Sequence, residues 1–156
     1  QALKVNSGAT GYEFGAVAGG KVLQVVTGST TTAFSYGSAS FADTGLTATI
    51  TPSATSSKIF ITTAQMGFTE TIDPRVVGVR ILRNTTTQVV NSQITMKTSG
   101  VQTRNPTTLN MIGLDSPNAT SATTYKTQVN INGNAADIFL QQNSSASTIV
   151  LMEIGV

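Results

Sequence analysis

Apolar and polar residues alternate with a period of two along most of the chain. Leu46–Thr51 is the strictest case, with Leu, Ala and Ile on one face and threonines on the other. This alternation is typical of a β-strand with one buried and one exposed face. Pro52 and the cluster Ser53–Ser57 end the strand, and Lys58–Met66 resumes the pattern. We expect these two segments to form neighbouring antiparallel strands.

The same pattern predicts further strands and no helix. Val76–Arg83 carries three aliphatic residues on its inward face, and Tyr125–Ile131 alternates in a way that places Tyr125 in the core. Asn132-Gly133 is a strong hairpin signal and predicts a return strand near Ile138. Weaker strand candidates are Lys21–Thr27, Thr32–Tyr36, Thr87–Ile94 and Thr108–Leu114. A total of roughly eight to ten strands favours an all-β, antiparallel jelly-roll sandwich.

The last predicted strand, Ser147–Val156, is apolar on both faces: Ile149 and Leu151 lie on one, and Val150, Met152 and Ile154 on the other. A two-layer sandwich leaves one face of each sheet in water, so such a strand needs a second covering surface. Candidates for an interface with a neighbouring subunit are Ile149, Leu151, Met152 and Ile154. The alternative is a long loop of the same chain that covers the strand.

The first twenty residues differ from the rest, because five glycines interrupt a stretch with little to bury. We expect a connector over residues 1–20 and a single β-sandwich domain over residues 21–156, since a chain of 156 residues suits one domain.

Composition and charge narrow the partners. Hydrophobic residues make up 39% of the chain and charged residues only 10%, so uncharged polar residues supply most of the polarity. The formal net charge is +2 and the basic residues are scattered, which argues against a nucleic-acid partner. Since no apolar run approaches the ~20 residues of a membrane helix, we expect no membrane insertion.

Residue types that carry catalysis are scarce. The chain has no His, Cys or Trp, which excludes Ser-His-Asp, Cys-His and zinc arrangements from this chain alone. Glu70 and Asp73 would serve a glycan hydrolase only at the right separation, and Asp73, or Asp115 with Asn118, would serve calcium only with further oxygen ligands. Charged turns explain these residues more simply. We therefore predict a non-enzymatic chain with no catalytic residues, no metal site and no cofactor.

Three parts of the chain resemble bacteriophage tail-fibre and other virion structural proteins. Leu3–Gly15 is similar to the short repeat that links a fibre shaft to its terminal head. The other two parts are similar to the start and the close of such heads; they comprise Lys21–Val26 with Asp43–Leu46 and Ser56–Ile59, and Asp115–Pro117 with Thr123–Lys126 and Leu151–Ile154. The resemblance extends over most of the chain, through short motifs rich in Ser and Thr.

The resemblance implies a head domain that is a trimeric jelly roll of the complement and tumour-necrosis-factor type, with residues 1–20 as the end of a shaft. It further implies a location in the virion, contact with other virion proteins, and attachment to a glycan or protein of the host surface. Two alternatives stay open: a capsid-decorating or head-fibre protein, and a tail enzyme that degrades surface glycan.

Attachment to a receptor needs planar polar groups on loops above a rigid scaffold. Two loops meet this description: Lys97–Pro106, with Lys97, Gln102, Arg104 and Asn105, and Asp115–Ser121, with Asp115 and Asn118. Ordinary polar turns account for the same residue types, so both interpretations remain open at this point.

Overall fold

The computed structural model of the chain describes residues 2–15, 20–70, 75–96, 104, 106–132 and 137–155. These residues form twelve strands and one short 3-10 turn, Gln142–Ser144. No helix in these ranges is long and apolar enough to span a bilayer. The strands are β1 (Ala2–Val5), β2 (Tyr12–Gly15), β3 (Lys21–Thr30), β4 (Phe34–Tyr36), β5 (Ala42–Ile50), β6 (Lys58–Thr69), β7 (Arg75–Arg83), β8 (Thr87–Met96), β9 (Thr107–Asp115), β10 (Thr123–Asn132), β11 (Ile138–Leu140) and β12 (Ser147–Gly155).

Eight strands of nine to twelve residues pair as in a jelly roll. Taken in chain order, the first pairs with the eighth (β3 with β12), the second with the seventh (β5 with β10), the third with the sixth (β6 with β9) and the fourth with the fifth (β7 with β8). All these pairs are antiparallel. The predicted all-β, antiparallel jelly-roll sandwich is therefore confirmed.

Two further pairings complete the sheets. β12 with β6 gives the first sheet, β3-β12-β6-β9, and β10 with β7 gives the second sheet, β5-β10-β7-β8. The short strands β11 and β4 lengthen the first sheet: β11 pairs with Gly67–Thr69, beyond the part of β6 that β12 uses, and β4 pairs with β11.

The hydrophobic core lies between the two sheets and follows the alternation in the sequence. The alternating residues of β5 that face inward are buried, as are the isoleucines of β6. Tyr125 is completely buried, which confirms its predicted place in the core. Each large side chain of this kind stabilises the fold by roughly 1.5–3 kcal/mol relative to exposure. The fully enclosed aliphatic residues are Leu46, Ile59, Ile61, Val77, Ile81, Val129, Ile138, Leu140, Ile149 and Leu151.

Two predicted strand neighbours are wrong, although the strands themselves are present. β5 and β6 lie in opposite sheets and were expected side by side. β11, expected as the hairpin partner of β10, lies in the first sheet, because β5 and β7 already occupy both edges of β10. Alternation fixes which face of a strand is buried and leaves its partner open. Of the Asn132-Gly133 turn, Gly133 lies outside the described residues.

The N-terminal segment forms a hairpin of its own. β1 pairs with β2 in a separate two-stranded sheet, with Leu3 opposite Phe14 and Val5 opposite Tyr12. These four apolar side chains share one face and are 58–75% exposed, while Lys4 and Glu13 form a 3.3 Å ion pair on the other face. A lone two-stranded hairpin is marginally stable in water. The role of residues 1–20 as a connector stays a prediction.

Candidate functional site

The outer face of the first sheet is apolar. The strand register aligns Val25, Met152, Phe60 and Leu114 in one row across all four strands. A second row contains Thr27, Val150, Thr62 and Ile112, and Val22 and Ile154 lie beside Lys58 at the end of the sheet. We call the side chains of these rows the apolar face.

The apolar face is exposed at both edges of the sheet. On β3, Val22 and Val25 are 54% and 53% exposed, and on β9, Ile112 and Leu114 are 66% and 58% exposed. The β12 and β6 side chains between them are half-buried. Among the members of the face, Lys58 alone carries a charge. Exposed contiguous apolar surface of this kind marks an interaction site in soluble proteins.

The size of the apolar face can be judged from sheet geometry. Four strands about 4.8 Å apart and five residues of about 3.3 Å each give an area on the order of 300 Å². The largest apolar patch on an ordinary monomer covers roughly 300–600 Å² and is often functional. The face is therefore comparable to the largest patch on an ordinary monomer.

The predicted interface residues of β12 divide between the two faces of the strand. Met152 and Ile154 belong to the apolar face, together with Val150. Ile149 and Leu151 were named as interface candidates, and this is corrected: both are fully buried in the core, because every second residue of the strand points inward. They are not available to another subunit.

Most of the apolar face was missed at the level of sequence. Val25, Phe60, Ile112 and Leu114 lie on different strands, and only the strand register brings them together. A signal was present, since Phe60 and Ile112 each adjoin inward-facing apolar residues, so that β6 and β9 are apolar on both faces locally. That is the same property that drew attention to β12.

Two described residues of the predicted receptor loops, Arg104 and Asn118, lie beyond opposite ends of β9. Arg104 precedes β9 and Asn118 follows it, and a strand of nine residues spans roughly 30 Å. These two residues therefore do not belong to a single site. Asn118 is exposed and has a positive φ of 52°. Three of the named candidates, Lys97, Gln102 and Asn105, lie outside the described residues.

Asp115 has a structural role, and its assignment as a receptor contact stays a prediction. Its carboxylate accepts hydrogen bonds from Arg83 at 2.8 Å and from the hydroxyl of Tyr125 at 2.7 Å, and its side chain is only 13% exposed. Burial and the neighbouring Asp115 raise the pKa of Tyr125, so the hydroxyl stays protonated and donates. The three residues connect β9 of the first sheet with β7 and β10 of the second.

A second carboxylate, Glu153, is buried beneath the first sheet and was not predicted. It accepts hydrogen bonds from the amide and hydroxyl of Ser53 at 2.7 and 2.6 Å, from the Ser57 hydroxyl at 2.6 Å and from Gln24 at 2.6 Å. Burial acts to raise the pKa of Glu153, but these donors outweigh it and lower the pKa to about 2. The charged form therefore fastens the end of β12 to the Ser53–Ser57 turn.

Of the two carboxylates considered for glycan hydrolysis, Glu70 lies among the described residues. Glu70 accepts a 2.6 Å hydrogen bond from Nε of Arg104, while Asp73 lies outside the described residues.

The outer face of the second sheet is polar. Asp43 accepts hydrogen bonds from Lys126 at 2.8 Å and from Gln128 at 2.6 Å, and Gln128 accepts two from Arg80 at 2.8 and 2.6 Å. The guanidinium of Arg80 also lies 3.9 Å from the ring centre of Phe41. These polar side chains satisfy one another's hydrogen-bonding groups on the surface of the sheet.

The sequence matches no family model and no curated protein. Among solved structures, the chain is similar to one described as the structure of infectious bursal disease virus, Gx strain. The two are 12% identical with a TM-score of 0.41, and the alignment covers 99% of this chain and 43% of the viral chain. The chain thus spans less than half the length of that protein. A likeness this weak leaves function to be argued from the surfaces of the chain itself.

Proposed function

We propose that the chain is a non-enzymatic virion module that assembles as a homotrimer through the apolar face and serves as a fibre head for attachment to the host surface. The observation that carries the proposal is the row Val25, Met152, Phe60 and Leu114, which extends across the whole first sheet and is open to solvent at both ends. The resemblance of the sequence to phage fibre heads supplies the trimer and the virion context.

A further copy of the chain is the occupant that suits the apolar face best. The face is built on a regular sheet and carries one charge, Lys58, so it offers little for electrostatic recognition of a different partner. In a closed ring of three chains, the apolar face of each chain packs against a different surface of its neighbour, so that all three faces are covered at once. Attachment then gains avidity from three copies of a weak site.

The N-terminal hairpin supplies part of the contact in this proposal. About 300 Å² on each copy is less than half of the ~800 Å² per partner that a standard interface buries. The exposed face of the hairpin, with Leu3, Phe14, Val5 and Tyr12, adds apolar surface of the same kind. We therefore expect residues 1–20 to strengthen the trimer as well as to join it to other virion proteins.

The test is the molar mass in solution, measured by light scattering on the intact chain and on two variants. Ile112→Asp places a charge on the most exposed member of the apolar face, and we expect the trimer to dissociate into folded monomers. Gln93→Asp places the same charge on the outer face of the second sheet, and we expect a trimer. A monomeric wild-type chain at all concentrations contradicts the proposal.

The position of the chain on intact particles tests the virion context separately. Labelling of the chain at fibre tips supports attachment to a host. Labelling over the capsid shell replaces attachment with decoration and leaves the trimer proposal standing.

A further inference from the structure

A pocket of about 230 Å³ opens at the end of the first sheet opposite to Lys58. Its floor is a pair of phenylalanines: Phe68 on β6 lies directly opposite Phe139 on β11, with ring centres 5.2 Å apart and ring planes inclined by 17°. Both rings point outward from the sheet, since the residues on either side of them are buried. The pocket thus has an aromatic floor that is partly open to solvent.

One wall of the pocket carries Arg104, which forms an ion pair with Glu70. The guanidinium of Arg104 lies 4.9 Å from the ring centre of Phe68, and its Nε donates a 2.6 Å hydrogen bond to Glu70. The side chains of Arg104 and Glu70 are 63% and 40% exposed, so both remain accessible to a ligand. The pair presents donors and an acceptor side by side, with no net charge.

The opposite wall is the segment Gln142–Ser145, which holds a strained backbone. Asn143 and Ser144 have positive φ angles of 54° and 60°, and so does the preceding Gln141, at 50°. Two hydrogen bonds hold Gln141 in place. Its backbone N–H donates to the carbonyl of Met66, and its side-chain amide donates to the hydroxyl of Ser147. Residues other than glycine rarely adopt a positive φ, and backbone strain of this kind is concentrated at binding sites.

We propose that this pocket binds a single uncharged sugar ring. A sugar ring has an apolar C–H face, which suits the rings of Phe68 and Phe139, and hydroxyls at its edge that both donate and accept. Arg104 offers N–H donors to the ring hydroxyls, and Asn143 offers an amide on the other wall. Arg104 is the one charged residue among the described residues of the lining, and its ion pair with Glu70 compensates that charge, so the site has no net charge to attract an acidic sugar.

The size of the pocket limits the ligand to one ring and predicts weak binding. Sites that enclose drug-sized ligands measure roughly 300–1,000 Å³, so a volume of about 230 Å³ is suited to the terminal or a branching unit of a glycan. Millimolar dissociation constants are expected for a single site, and three sites on one trimer would raise the avidity.

The inference deepens the proposed attachment by naming its ligand class, but it does not need the trimer. Phe68 lies eight residues along β6 from Phe60, which is about 26 Å in a strand. The pocket and the centre of the apolar face are therefore separate surfaces, and their failures can be told apart.

The experiment is an NMR titration of the intact chain with methyl glycosides of glucose, galactose, mannose and N-acetylglucosamine. Methyl glucuronoside serves as the charged counterpart. We expect at least one neutral glycoside to bind in the millimolar range, with resonance shifts confined to the pocket, and weaker binding of the glucuronoside. Light scattering on the same samples reports the state of assembly.

Two exposed variants test the assignment without endangering the fold. Arg104→Ala removes the donors and Asn143→Gly removes the amide while tolerating the positive φ; each is expected to weaken binding by at least about tenfold. The matched control is Phe41→Ala, which breaks the equivalent arginine–phenylalanine contact on the second sheet and is expected to leave binding unchanged. Circular dichroism verifies that each variant is folded.

Three outcomes overturn the inference: no neutral glycoside binds to the folded chain, the glucuronoside binds more tightly than every neutral glycoside, or Arg104→Ala binds as well as the wild type. If any of these three outcomes is observed and the chain is a trimer, the assembly is supported and the sugar site is contradicted. Binding by a chain that proves monomeric supports the sugar site and contradicts the assembly.

Discussion

The two sheets are built on the same inner pattern and differ on their outer faces. On the second sheet, Asp43, Lys126, Gln128 and Arg80 form a continuous hydrogen-bonded network along the surface. On the first sheet, the positions of the apolar face are mostly Val, Met, Phe, Ile and Leu in register across four strands, with Thr27, Thr62 and Lys58 among them. The outer face of the second sheet carries groups that hydrogen-bond to one another and to water. The apolar face of the first sheet carries mostly side chains that cannot hydrogen-bond to water.

The difference separates the residues that fold the chain from the residues that we propose to join it to other chains. The inward residues of both sheets form one core, so the main hydrophobic cluster of the sandwich involves neither outer face. Apolar residues kept on one outer face alone therefore point to a requirement outside the single domain. Neighbouring positions of the same strand thus differ in role: one contributes to folding and the next to the proposed assembly. Variants at the two positions can separate these roles.

The largest expected effect is at Leu151, which faces the core from β12. Leu151→Asp places an unpaired charge in the apolar interior and is expected to cost more than about 3 kcal/mol, a large part of the 5–15 kcal/mol that stabilises a typical domain. Thermal unfolding followed by circular dichroism should show loss of the native transition. Val150→Asp, one residue earlier on the apolar face, should unfold near the wild-type temperature but lose the trimer. Equal effects of the two changes on folding would remove the distinction between the faces.

A smaller effect is expected at Glu153, where the inner side of the first sheet carries a charge. Its pKa is about 2 when folded, below its ordinary value near 4.5. The ionised form therefore contributes stability that is fully present above about pH 4.5 and is lost as the pH falls toward 2. Glu153→Gln should lower the free energy of unfolding by about 2 kcal/mol at pH 7, since it loses charged hydrogen bonds.

Chemical denaturation across pH 2–7 measures this effect. The wild type should lose more stability than Glu153→Gln on acidification, so that the two curves converge at low pH. Parallel curves would mean that Glu153 is not the group responsible.

The smallest effect is expected on the outer face of the second sheet. Lys126→Ala removes an ion pair with Asp43 whose members are 22% and 52% exposed, and such pairs contribute less than about 1 kcal/mol. Denaturant unfolding and light scattering should both remain close to wild type. Dissociation of the trimer by this change would indicate that the interface lies on the second sheet, which contradicts the proposal.

Much of the fold could be predicted from alternation, and the pairing of strands could not. The pattern in Leu46–Thr51 identified a strand and its buried face correctly, because a period of two is a local property. It gave the wrong neighbour for that strand, because β5 meets β10 across more than seventy residues of chain. The Asn132-Gly133 signal failed for a similar reason: β11 is required by the first sheet.

The candidate site was predicted in part, for reasons of the same kind. Met152 and Ile154 were found because two-sided apolar character is visible within one strand. Phe60 and Ile112 were missed, since a row across four strands exists only once the register is known. The structural role of Asp115 was missed because an exposed loop residue and a partner of buried Tyr125 have the same appearance in a sequence.

The most direct test of the central claim is the solvent accessibility of the outer methyl groups in solution, measured by NMR with a soluble paramagnetic agent. Ile112 and Leu114 are 66% and 58% exposed on a single chain. If the apolar face is covered by other copies, their methyl signals should be protected at high protein concentration and become broadened on dilution. Broadening of both signals at every concentration, to the extent their exposure on one chain dictates, would contradict the account.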